Sequence, residues 1–498
     1  MAIINRFLLL ILSFSVIIPN ISEAQKLLIS PSEIDESGFG YTKVIGQDDE
    51  GYFLLLSNIT LNYSGDRMGF RSRKYKLAYY NSNLTQKWSI PVNATKPNAE
   101  IEAVTFFNES ILIISSEYIK SDLKLNYYFS TIDKEGVISG GENSVASFSQ
   151  ISGEYEKCRP VISTGRKMIA ITTREFTSDN QQKLFAAIFD SELKPVKSVT
   201  GIANYAEKNF DLINFSLTDR GDLGILGIHS EKIKALSSKR TTDYLLFTAS
   251  VSESQIKETA IAADRIITGL GLAADNINDQ FVIAGFYSDV NSTTGSGVVY
   301  GKLTLDSTAN FDLKLKPIDG EKNIRLKGER NAASGMSLIG YPIERIILRK
   351  DGGAVIVAEA AYTTEYSYYD YFTQSFTRRE EFHFDNIAVL SVNYDATVQW
   401  SAIAEKEQVS IDDDGVFSSF CSLLNSEEMI VLFNDNLSRQ NALIPVKISN
   451  TGAALRGKPV QGSEGLMILP RSAKQVAENE ILVPAIKKRK RYLALITF

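Results

Sequence analysis

Residues 478–498 read ENEILVPAIKKRKRYLALITF. A polar turn opens onto the apolar run ILVPAI at Ile481, a basic turn from Lys487 to Arg491 follows, and RYLALITF ends at Phe498. Short runs of β-branched and aromatic residues bounded by turn formers are strand chemistry. The same polar-turn-then-run signature recurs upstream as DDEG before YFLLLS, NES before ILIISS, TGRK before MIAITT and DRGD before LGILGI. It continues as NINDQ before FVIAGF, KDGG before AVIVAE and NSEE before MIVLFN. The runs start at Tyr52, Ile111, Met168, Leu223, Phe281, Ala354, Met429 and Ile481, in steps of 59, 57, 55, 58, 73, 75 and 52 residues.

A strand-like stretch precedes each run (IERIILR, FSSFCSLL), and another follows it (KLAYYN, NYYFSTI, KLFAAIF, DYLLFTA, GVVYGKL, NIAVLSV, ALIPVKI, RYLALITF). After the first seven, a tight turn leads to a fourth stretch. Each unit is therefore a four-stranded antiparallel meander, and convincing amphipathic helical windows are absent. Four-stranded units repeating at about 40–50 residues or somewhat more are propeller blades. The eighth unit lacks a fourth strand, while Lys26 to Ser30 (KLLIS) belongs to no unit. That segment is expected to complete the last blade and close the ring, which removes its open edges. The prediction is an all-β, eight-bladed β-propeller, with seven blades as the alternative if the short last unit is an incomplete lid.

The blade rhythm is similar to that of secreted β-propeller proteins of bacteria that have no assigned chemistry, over essentially all of residues 25–498. The WD dipeptide, clear kelch double glycines and the Trp-docking motif of quinoprotein propellers are absent, so the resemblance implies a fold and no activity.

Residues 1–24 read as a secretory signal: Arg6, an apolar stretch from Phe7 to Ile18, then Ser22-Glu23-Ala24 before a cut at Gln25. The stretch is too short to span a bilayer, and no later segment approaches 18 apolar residues. The expectation is a single soluble domain over residues 25–498, periplasmic or secreted, with no transmembrane segment. No Cys near the cut marks a lipoprotein. N-x-S/T triplets such as Asn83-Leu84-Thr85 read as chance in a chain rich in these residues.

Composition removes several classes. An apolar fraction of 44% with 22% charge excludes a disordered or collagenous chain. A net charge of −6 argues against nucleic acid as a partner. Two Cys cannot build a zinc ribbon or an iron–sulfur centre. Cys158 and Cys421 fall in or beside the inner strands of units three and seven, on opposite sides of an eight-fold ring. Two buried, unpaired thiols are expected, since a disulfide needs Cα atoms within about 7 Å. His229 and His383 sit in units four and six, too far apart for a shared metal. No HExxH, GxSxG, Walker or Rossmann motif occurs, and Ser191-Glu192-Leu193-Lys194 matches SxxK without its companions.

In a propeller, turns between strands one and two or three and four lie on one face. Turns between strands two and three, and links between blades, lie on the other. The second set holds the long segments: 58–74, 231–242, 289–296, 316–341 and 362–384. Binding is expected on that elaborated face, because long loops carry recognition. Three clusters there are candidates. The first is aromatic: Tyr362, Tyr366, Tyr368, Tyr369, Tyr371, Phe372, Phe376, Phe382 and Phe384. Either a loop presents these rings to a sugar or a protein, or an extended hairpin packs them on its own blade. The second is basic: Lys487, Lys488, Arg489, Lys490 and Arg491, beside Arg67, Arg71, Arg73 and Lys74 if the ring closes. It is either an anion-attracting sector or solvated turn charge. The third is Asp412-Asp413-Asp414-Gly415, which suits calcium in its residue types but lacks EF-hand spacing; a solvated acidic turn is the other reading. No cofactor other than that calcium is expected.

Two functions remain in play. One is an exported, non-catalytic binding or scaffold propeller whose elaborated face holds a glycan or an exported or cell-surface protein. The other is a polysaccharide hydrolase or lyase with carboxylates at the central channel, for which sequence spacing cannot choose a pair.

Overall fold

The structure is a computed structural model that describes residues 25–35, 39–58, 74–149, 151, 154–177, 181–232, 240–288, 295–304, 311–319, 341–370, 372, 374–438 and 440–498. Among them every regular element is a strand, apart from two single 3-10 turns. The strands form eight antiparallel sheets in sequence order, at residues 41–92, 100–149, 159–203, 210–261, 266–317, 343–411, 421–456 and 466–497. These are blades one to eight of a β-propeller. Six have four strands. Blade six adds the short strand Gln408–Ile411, and the inner edge of blade eight is shared by two short strands, Leu466–Ile468 and Lys474–Ala477.

The apolar runs are the second strands, and the reason they stand out is geometric. A propeller sheet packs both faces against neighbouring blades, so its middle strands are buried on both sides and do not alternate. Gln280–Ser288 of blade five is buried at every position. The core is correspondingly divided into eight clusters, each between two consecutive blades. Phe107, Leu112 and Tyr127 of blade two meet Ile169, Phe185 and Phe189 of blade three, for example. The cluster that joins Leu482, Leu493 and Leu495 of blade eight to Val44, Leu54 and Tyr80 of blade one completes the circle. Fully burying one such side chain contributes roughly 1.5–3 kcal/mol.

The amino-terminal ribbon sits where the sequence places it. Lys26–Ile29 pairs antiparallel with Lys490–Thr497, in the register Lys26↔Thr497, Leu27↔Ile496, Leu28↔Leu495 and Ile29↔Ala494. Two further backbone bonds extend the contact, Ser30 N–H to Leu493 O and Ile34 N–H to Arg491 O, both 2.8 Å. Eight blades, not seven, make the ring.

The turns of the plain face touch around the rim. Asn108 donates to Ser191 O (2.7 Å), Trp88 to Lys134 O (2.7 Å), and the Gly165 and Asp219 amides to Asp219 and Asn276 side chains (2.9 and 2.8 Å). Neither Cys158 nor Cys421 is in a disulfide, and both are buried. Burial pushes the Cys421 thiol up to about 12, which leaves almost no thiolate at neutral pH. Intact-mass measurement after iodoacetamide at pH 8 is expected to show no alkylation of the native protein and two adducts after unfolding. A native adduct, or a disulfide, would contradict this packing.

Candidate binding site

Blade six carries the largest departure from the common plan. Its second and third strands, Ala354–Asp370 and Ser375–Val392, are 17 and 18 residues long. Their lower halves belong to the blade. The upper halves stay paired from Ala361↔Phe384 to Asp370↔Ser375, a ribbon of ten residue pairs that extends about 30 Å at the usual strand rise. The aromatic cluster is therefore a hairpin and not an irregular loop. It also does not fold back onto its own blade, because its outer rings face solvent. Phe372 is 101% exposed, Phe376 77%, Tyr369 42% and Tyr366 40%.

Strand alternation sorts the side chains. One face carries Tyr362 opposite His383 and Tyr366 opposite Arg379, with Tyr368 beyond; the other carries Tyr369 opposite Phe376, and Glu365 opposite Glu380. On the first face His383 stacks on Tyr362 (centroids 4.4 Å apart, 7° between planes), and Arg379 lies 5.5 Å from the Tyr368 ring centroid. On the second, Tyr369 and Phe376 meet edge to face at 5.4 Å, and Arg378 pairs with Glu365. These contacts hold the rings in place, so few rotamers remain to freeze on binding. The strand Gln408–Ile411 covers the Glu381–Phe384 edge of the ribbon. The opposite edge, along Tyr362–Tyr368, has no strand partner among the described residues.

The ribbon leaves the blade at a bulge between Glu359 and Ala361, the device that bends a strand and increases its twist. A buried ion pair fixes the bend: Lys406 Nζ lies 2.7 Å from Glu359 Oε1, each side chain 1% exposed. Lys406 also donates to Phe384 O (2.7 Å) and Gln408 Oε1 (3.0 Å), and Ser419 Oγ donates to Glu359 Oε2 (2.6 Å). Burial pulls the Lys406 ammonium down while Glu359 opposes that pull. The network passes on through Gln408, whose amide donates to Asn434 O (2.7 Å), to Asn434 and Ile468 of blades seven and eight. Sequence reasoning missed all of this. Lys406 stands among Glu405 and Glu407 and reads as surface charge.

The acidic turn serves the same root. Asp412 continues the ladder onto Glu380 through its own N–H (3.0 Å) and accepts the Glu380 N–H at Oδ1 (3.0 Å), while Asp413 Oδ1 accepts the Gly415 N–H (2.9 Å). Gly415 has φ 60°, and a Cβ there would stand 2.4 Å from Phe384. Thus Asp412 and Asp413 spend carboxylate oxygens on backbone amides. Among the described residues no three Asp, Glu, His or Cys side chains are placed to share a metal ion, so the calcium reading gains no support.

Lys488 and Arg489 form the two-residue turn between the second and third strands of blade eight, with φ 52° and 66°, the left-handed pair of a type I′ hairpin. Both are exposed on the face from which the ribbon rises, with blade seven between them and it. Their proposed companions Arg67, Arg71 and Arg73 lie outside the described residues, as does Tyr371. His229 packs against Tyr205 (4.7 Å) in blade four and His383 against Tyr362 in blade six; the structure does not bring the two together.

No protein-family model matches this sequence. No curated protein matches it either. Similar solved structures include the WD40 domain of SCAP from fission yeast, with 8% identity and a TM-score of 0.36, covering 95% of this chain and 98% of that one. Sqt1 from Chaetomium thermophilum, bound to the N-terminus of a ribosomal protein, is 11% identical with a TM-score of 0.40, covering 92% and 95%. The β-propeller domain of the Trilobed protease from Pyrococcus furiosus is 9% identical with a TM-score of 0.34, covering 82% and 93%.

Proposed function

We propose that this protein is an exported binding propeller that captures a protein partner on its elaborated face, with the blade-six ribbon as the recognition element. The single observation that carries this reading is a projecting ribbon with exposed rings and an edge, along Tyr362–Tyr368, that no strand covers among the described residues. The sequence of residues 362–370, YTTEYSYYD, combines high β-propensity with only two charges, the composition that invites another strand. A partner strand added to this edge would gain main-chain bonds, while alternate side chains would read its sequence. A convex ribbon tip suits a protein groove better than a sugar, which needs a platform with flanking polar groups. The polysaccharide-cleaving alternative calls for two carboxylates flanking the scissile bond. The cavity described below is lined instead by Glu344 among cations.

The test replaces residues 366–379 by Asn-Gly, which joins the paired Glu365 and Glu380 through a two-residue hairpin turn. The intact protein is expected to recover one stoichiometric partner from the exported fraction of its native cells. The shortened variant is expected to lose it by at least about tenfold, as for a hot-spot deletion, with the melting temperature nearly unchanged. Amide exchange along 361–370 is expected to slow in the complex. Undiminished capture by the shortened variant, or binding to a glycan array in place of a protein, would overturn the reading.

A further inference from the structure

The inner edge of blade eight is broken. After Leu466–Ile468 the chain makes the 3-10 turn Pro470–Ser472 and resumes as Lys474–Ala477. Arg471 lies in this turn, against the Phe384 ring of blade six, and Lys474 follows it. There a cavity of about 560 Å3 opens beside blades six, seven and eight, lined by Glu344, Arg345, Ser422, Arg471, Lys474 and Gln475 among others. Lys474 Nζ donates to Ile45 O of blade one (2.8 Å) and lies 5.6 Å from the Phe106 ring centroid of blade two. Arg166, from a plain-face turn of blade three, lies 5.5 Å from that same centroid. Blade one admits the ring by using Gly46, where a Cβ would stand 2.1 Å from Phe106.

Arg345, Arg471 and Lys474 of blades six and eight thus line one cavity, and Arg166 of blade three shares the Phe106 ring with Lys474, in a protein whose net charge is −6. Among the described residues none of Arg166, Arg345, Arg471 and Lys474 has a carboxylate within 4 Å, although ion pairs are plentiful elsewhere in the molecule. Among the described residues Glu344 is the one acid lining the cavity, and burial followed by the nearby Glu359 favours its neutral form. Burial, then the charges of Arg166 and Lys43, push the Lys474 ammonium down to about 8. Gathering like charges costs free energy unless an anion shares the space.

We propose that this cavity binds a small polyanion bearing tetrahedral oxyanion groups, phosphate or sulfate, with Arg345 and Arg471 gripping one group and Lys474 another. Guanidinium forks match two oxygens of such a group at once, and an ammonium adds a compact charge. Arg471 lies 4.4 Å from the Phe384 ring centroid at the ribbon's root, while the exposed rings at the ribbon's tip are no part of this site.

Calorimetric titration of the full chain with tripolyphosphate and, in a second arm, with glucosamine-N,6-disulfate is expected to give saturable one-site binding in at least one arm. Which arm responds assigns phosphate or sulfate. Lys474→Met and Arg471→Gln, made separately, are each expected to weaken binding at least about tenfold, the loss of one charge-assisted contact. Lys474→Met removes a largely buried charge, so its fold is expected to persist, and circular dichroism checks both variants. Lys87→Gln, on the exposed outer strand of blade one, is expected to leave the affinity unchanged. Heats that follow ionic strength alone, binding that survives both cavity variants in folded protein, or an equal loss in Lys87→Gln would overturn the proposal.

Discussion

Lys406→Met is expected to destabilise the protein by about 3–5 kcal/mol, the cost of stranding one member of a buried ion pair. Glu359 would remain 1% exposed with its countercharge gone and, among the described side chains, Ser419 left donating to it. Phe384 O and Gln408 Oε1 would lose a donor at the same time. Replacing both partners, as Lys406→Met with Glu359→Met, is expected to recover much of the loss, since an apolar pair of similar volume needs no desolvation of charge. Urea unfolding of the two variants measures this. A single variant as stable as the parent would mean that water reaches the bend and that the pair does not lock it.

Removing residues 25–31 is expected to have a comparable effect by a different route. It deletes four ladder pairs and the Ser30 bonds, and it uncovers Lys490–Thr497 as a free edge. Three half-buried side chains, Leu27, Leu28 and Ile29, and several backbone bonds at about 1 kcal/mol each put the loss on the order of 5 kcal/mol. An open edge beside an apolar strand is also an aggregation template. The expected result is a lower urea midpoint, rapid amide exchange across 490–497 and concentration-dependent association. A synthetic peptide of residues 25–32 is expected to restore protection when added in excess. An unchanged midpoint would show that interblade packing alone, through Leu482, Leu493, Leu495 and their blade-one neighbours, holds the ring.

The sequence made the wheel legible for a physical reason. Strands buried on both faces carry uninterrupted apolar runs, so FVIAGF or MIVLFN declares itself without knowledge of its neighbours. The blade count then follows from arithmetic and from KLLIS finding a vacant place. The ribbon was half legible. Alternating tyrosines announced paired strands, but whether they would lie down or project depends on a bulge and on a lysine 47 positions from its glutamate, a relation no local pattern contains. The acidic turn reads two ways in sequence, as calcium ligands or as a solvated turn, and only the amide partners of Asp412 and Asp413 show what their carboxylates hold. Least legible were the clustered cations. Arg166, Arg345, Arg471 and Lys474 sit in four ordinary turns or strand ends, and only circular geometry collects them.

The seam between Lys26–Ile29 and Lys490–Thr497 joins residues more than 460 positions apart. Contacts of such long range form late and slowly, because the whole intervening chain must first be ordered. Until then blade eight offers an unsatisfied ladder to any passing chain. The last event in folding is thus expected to be a zipping step between the two extremities, and a chaperone that shields the carboxyl-terminal strand would act at that moment.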